Sequence, residues 1–199
     1  MVKTSFIFMV FSIFIFQAFG QKTTQKISFG ESFDLKIGYL GEFITHPGLN
    51  TEIMAPYKLQ IKTKNDRQKW KYLSAGFGIY NHQQNHVGTF LLVSHGSKRI
   101  YKNGFMLGSS LGVGYFRYFY NSATFEVGDN GEISRVRLAG KGQIMFDMSL
   151  EVGQDFFRKS NVPLGWYIRP RLFFLAPHNT TFLPRVALEA GIMYKIKIN

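Results

Sequence analysis

The chain is 199 residues long, carries 24 Lys and Arg against 12 Asp and Glu for a formal charge of +12, and has no cysteine. The missing cysteine excludes a disulfide frame, a thiolate metal site and a cysteine nucleophile, and the length fits one domain. The basic excess alone is compatible with nucleic acid or anionic lipid as a partner.

Residues 1–20 hold one charge, Lys3, then an apolar run from Phe6 to Phe16, then Ala18-Phe19-Gly20 ahead of Gln21. A basic start, a short apolar run and a small-x-small site read as a signal peptide cleaved near Gly20. The run falls short of the roughly 20 apolar residues of a spanning helix. The mature chain is then 21–199, a single domain of 179 residues (199 minus 20), and losing Lys3 lowers its charge to +11. Export argues against a nucleic-acid partner.

Eight stretches follow in which polarity alternates with period two, the spacing that puts every second side chain on one face of a β-strand. Phe33, Leu35, Ile37 and Tyr39 oppose Asp34, Lys36 and Gly38, and a weaker candidate runs from Leu49 to Ala55. Leu73, Ala75, Phe77 and Ile79 oppose Ser74, Gly76 and Gly78, and a second weaker candidate runs from Val87 to His95. Phe105, Leu107, Leu111, Val113 and Tyr115 oppose Gly108, Ser110, Gly112 and Gly114. Ile144, Phe146, Met148, Leu150 and Val152 oppose Gln143, Asp147, Ser149, Glu151 and Gly153. Trp166, Ile168, Leu172 and Phe174 oppose Arg169 and Arg171, with Pro170 between them as a mark of a bulge or interruption. Val186, Leu188, Ala190, Ile192, Tyr194, Ile196 and Ile198 oppose Arg185, Glu189, Gly191, Lys195 and Lys197.

No later stretch reaches helical spanning length, so a membrane-embedded mature chain has to cross as a closed barrel. Alternation by itself also suits a soluble barrel, and side-chain volume separates the two. The apolar face is bulky while the other carries glycines, serines and charges; lipid accepts any volume, whereas a narrow lumen wants small or paired groups. The expected fold is all-β: a single antiparallel up-and-down transmembrane β-barrel of about eight strands, with membrane lipid as its neighbour. Lumen-facing Asp34, Glu52, Asp147, Glu151 and Glu189 nearly balance Lys36, Arg169, Arg171 and Arg185. Buried charges persist when paired, so these predict a plugged barrel and not a pore.

With both termini periplasmic, the outer connections fall near 45–48, 81–86, 121–138 and 177–181. The longest contains Asp129-Asn130-Gly131, a tight-turn signal flanked by Phe125, Val127, Ile133 and Val136, and predicts a projecting hairpin. The cluster Lys58, Lys62, Lys64, Arg67, Lys69 and Lys71, with Lys22, Lys26, Lys98, Arg99, Lys102, Arg158, Lys159, Lys195 and Lys197, falls at periplasmic turns and strand ends. A solvated surface with snorkelling near headgroups accounts for them; contact with an envelope protein partner or anionic lipid is the sharper alternative.

The signal peptide, the glycine-relieved strand from Gly104 to Gly114 and the terminal strand from Val186 to Ile198 resemble those of small eight-stranded outer-membrane barrels. These are the barrels of the OmpX and OmpA-membrane-domain kind, and especially short uncharacterised ones of Bacteroidetes-type bacteria. The resemblance implies an outer-membrane location. Such barrels commonly end in an aromatic residue, and this chain departs from them in ending Ile196-Lys197-Ile198-Asn199.

Four histidines, His46, His82, His86 and His178, fall on the outer side, where imidazoles are able to bind zinc, copper, iron or haem. The spacing of His82 and His86 gives a shared face on a helix and not in a loop. They are therefore expected as exposed loop histidines, with no metal or cofactor assigned. His95-Gly96-Ser97 resembles the lipid A deacylase barrels and implies a lipid-modifying enzyme. That family follows its serine with asparagine, where this chain has Lys98, and places an acid where this chain has Leu107. A serine nucleophile needs a base and an orienting group, so no catalytic residue is assigned. The expected function is a non-enzymatic outer-membrane barrel that acts through its extracellular loops or as an accessory subunit of an envelope complex.

Overall fold

A computed structural model describes residues 22–26, 32–62, 66–83, 85–128, 130–178 and 181–198. The expected signal peptide and its cleavage site lie outside these residues, as does Lys64. Eleven strands are described: β1 (Lys22–Lys26), β2 (Ser32–Glu42), β3 (His46–Lys62), β4 (Arg67–His82), β5 (His86–Ile100), β6 (Phe105–Tyr120), β7 (Thr124–Val127), β8 (Ile133–Val136), β9 (Gly140–Asp155), β10 (Leu164–His178) and β11 (Thr181–Lys197). One short helix, α1 (Phe156–Ser160), joins β9 to β10.

Eight of the strands close a ring in the order β3-β2-β11-β10-β9-β6-β5-β4, and β4 pairs back onto β3. Every neighbouring pair in the ring is antiparallel. The closed ladder satisfies the backbone without exposing an edge, which hydrocarbon requires of a spanning structure. The two candidates with weak alternation, around Leu49 and around Leu91, are full members of the ring as β3 and β5. The hairpin β7–β8 stands apart as its own two-stranded sheet. β1 pairs Lys22–Lys26 with Lys58–Lys62, alongside the part of β3 that lies beyond its pairing with β2.

The outward residues are the ones whose alternation was apolar. On β9 the apolar stretch from Ile144 to Val152 covers nine residues, the length of a tilted spanning strand. Leu91 and Leu111 are each 61 % exposed, and comparable residues continue around the ring. A monomer in water does not sustain an apolar belt of that extent, so this wall is built to face hydrocarbon. Among the described residues no helix is long and apolar enough to cross a membrane.

Two prolines perturb the wall in different ways. At Pro56 the β3–β4 register shifts before Lys58, a bulge that sequence reading did not anticipate. At Pro170 there is no shift. The β9–β10 pairing passes from Ile168 and Val152 to Arg171 and Ser149 in unchanged register, while Pro170 still sits opposite Leu188 on β11. The missing N–H interrupts one ladder and leaves the register intact.

Candidate functional site

The lumen is filled in layers. At mid-height Arg169 donates to Glu151 at 2.5 and 2.8 Å and to Glu52, and Lys36 donates to the same Glu151 oxygen at 2.5 Å. Arg171 donates to Asp147 at 3.0 Å and to Glu189 at 2.9 Å, and Glu189 also accepts from Tyr167 at 2.6 Å and Asn50 at 3.0 Å. These groups come from β2, β3, β9, β10 and β11, so the network ties opposite sides of the ring together. The near-balanced lumen charges are therefore met as specific pairs. Lys98 corrects one expectation: it is not at a solvated turn but lies buried in the lumen, paired with Asp34.

Above this layer, toward the end that carries the β7–β8 hairpin, Leu40, Phe90, Leu92, Phe116, Met145, Phe173 and Leu175 form an apolar seal. The lumen thus holds bulky side chains that a small-side-in reading missed. Glycines on neighbouring strands make their space: a Cβ on Gly78 would lie 2.2 Å from the Phe90 ring, and one on Gly96 2.3 Å from the Tyr72 ring. The glycines are counterparts of large residues and not signs of an empty bore.

At the opposite end, where β11 finishes, a cavity of about 340 Å³ opens between Trp70, Asp155, Phe157 and Lys195. Its charges serve one another. Lys195 donates to Asp155 at 3.1 Å, and Asp155 also caps α1 by accepting from the Phe157 N–H at 2.9 Å.

The hairpin end differs. Glu42 closes β2, His46 opens β3, His82 closes β4 and His86 opens β5. Glu42 sits opposite His46, and His82 opposite His86, in the strand registers. Extending the β3–β4 register beyond Gly48 and Tyr80 sets His46 opposite His82. Four side chains thus stand in a row across four neighbouring strands. The His46 and His82 rings stack at 3.8 Å between centroids, and His82 and His86 are 5.1 Å apart. Glu42 Oε2 lies 3.6 Å from His46 Nδ1 and 4.0 Å from His82 Nδ1, beyond hydrogen-bonding distance. Glu42 Oε2, His46 Nδ1, His82 Nδ1 and His86 Nε2 are all buried without a hydrogen-bond partner, as is Arg185 Nε beside them. The other Glu42 oxygen accepts from Arg185, which also reaches Tyr80 Oη at 3.4 Å.

His46, His82 and His86 were expected in exposed loops. They face the lumen rim instead, and His86 is buried. The spacing of His82 and His86, unhelpful in a loop, brings them face to face across a tight hairpin. Glu42 was missed although the alternation of Asp34, Lys36, Gly38 and Leu40 points to its face. The side chain of His178 lies outside the described residues.

His95 and Ser97 share the outward face of β5. His95 Nε2 is 2.7 Å from the Tyr57 hydroxyl. Opposite His95 stand Leu73 and Leu111, and opposite Ser97 stand Lys71 and Ser109. None is a carboxylate, so the orienting group of a triad is missing from these cross-strand positions.

The chain is similar to small outer-membrane barrels. The N-terminal β-barrel domain of Pseudomonas aeruginosa OprF matches 85 % of this chain and 100 % of its own length at 9 % identity, with a TM-score of 0.44. Neisserial surface protein A matches 88 % of this chain and 99 % of its own at 12 % identity and a TM-score of 0.45. The outer-membrane enzyme PagL matches 84 % of this chain and 99 % of its own at 11 % identity and a TM-score of 0.45. No family model matches the sequence, and no curated protein matches it.

Proposed function

We propose that this chain is a non-enzymatic outer-membrane barrel with a sealed lumen, oriented with its hairpin end outward and its termini in the periplasm. The observation that carries this is the layered filling of the bore. An apolar seal around Phe90, Phe116 and Phe173 lies over a charge network centred on Arg169, which supports a bore closed to water, unlike the channel that wide barrels keep. Contact with an envelope partner falls to the β7–β8 hairpin, where Phe125, Val127 and Ile133 are exposed beyond the wall.

Reconstitution into planar bilayers tests the sealed lumen. The protein is expected to insert without conductance steps; steps of reproducible size would overturn the proposal.

A further inference from the structure

We infer that the outer rim of the barrel binds one divalent first-row transition-metal ion through Glu42, His82 and His86, with His46 beside them as a fourth donor. The inference rests on the proposed function only for the side from which the ion arrives.

Ligand atoms of Glu42, His82 and His86 lie within 4.8 Å of one another. Two donors bound to one tetrahedral zinc at about 2.1 Å would lie about 3.4 Å apart. The observed 3.6 and 4.0 Å between Glu42 Oε2 and the two Nδ1 atoms are too long for hydrogen bonds and need only a small contraction to share an ion. Buried polar atoms ordinarily have partners, yet a carboxylate oxygen and three imidazole nitrogens here have none, and those of Glu42, His82 and His86 converge. A carboxylate offers only lone pairs, and each neutral imidazole offers one. With the three unpartnered ring nitrogens as the unprotonated ones, a single water donates two protons and leaves two of the four acceptors unserved. A cation held by Glu42, His82 and His86 serves three of them at once, with His46 Nδ1 3.6 Å from the same carboxylate oxygen.

The donor set selects the class of ion. Imidazole with carboxylate suits zinc, copper or nickel, whereas calcium and magnesium take oxygen ligands. The frame is fixed before binding, since the four residues are cross-strand neighbours on β2 to β5 and Arg185 holds the second Glu42 oxygen. Such outer partners orient a ligating carboxylate.

The test is calorimetric titration of the untagged protein in detergent, stripped with chelator, against zinc chloride. Expected is one ion per chain. His82→Ala and His86→Ala should each weaken binding about tenfold or more, while His95→Ala on the outer wall leaves it unchanged. Cobalt(II) added to the unmutated protein gives a reading that needs no variant to fold: visible bands of a nitrogen- and oxygen-coordinated ion are expected. Absence of saturable zinc heat together with an unchanged cobalt spectrum would overturn the inference, as would zinc binding that persists undiminished in both histidine variants. A bilayer conductance result bears on the sealed lumen and leaves this outcome independent.

Discussion

Arg169 touches Glu52 and Glu151 directly and lies 3.7 Å from Glu189, so it is the cation that several strands share. Removing one partner of a buried pair leaves uncompensated charge, at a cost of about 3–5 kcal/mol. Arg169→Ala is expected to lose stability on that scale in urea unfolding from detergent or vesicles; a loss below about 1 kcal/mol, the scale of an exposed pair, would show that the network does not hold the ring together. Individual lumen charges were legible in the sequence because alternation assigned each to a face. Their pairing was not: Lys36 and Glu151 are 115 positions apart, and only closure of the ring brings them together. Lys98 was misplaced because its position near a strand end looked like a turn, although it shares its face with Ser94 and Gly96.

At the scale of the strand, period two identified all eight wall members, and volume gave their outward faces correctly. What alternation leaves open is register, where a one-residue slip would turn every side chain to the other side. The row from Glu42 to His86 depends on the registers of three strand pairs, which is why His46, far in sequence from His82 and His86, read as an unrelated loop residue. Volume also failed on the inward face, since rings such as Phe90, Tyr72 and Tyr80 are accommodated there by Gly78, Gly96 and Gly88 on the next strand. The outward assignment makes a separate prediction. Leu111 sits near the middle of β6, and Leu111→Arg is expected to cost about 2–4 kcal/mol, the scale for a cation near the bilayer midplane. Refolding into vesicles with urea titration measures it, and a neutral result would place that face away from lipid.

For the whole molecule, one geometry accounts for both faces of the wall: outward residues exposed to an apolar solvent and inward residues packed against one another. The absence of native cysteine makes this directly testable by spin labelling. Single cysteines would be placed in turn at outward Ile144, Phe146, Met148 and Leu150 and at inward Met145 and Ser149 of β9, in protein reconstituted into lipid. Collision rates with oxygen and with a water-soluble nickel chelate are then compared. The outward labels are expected to meet oxygen and exclude the chelate, and the inward labels to be shielded from both. Chelate reaching Met145 and Ser149 would reveal an open bore, and chelate reaching the outward series would put the wall in water; either result contradicts a sealed, lipid-facing barrel.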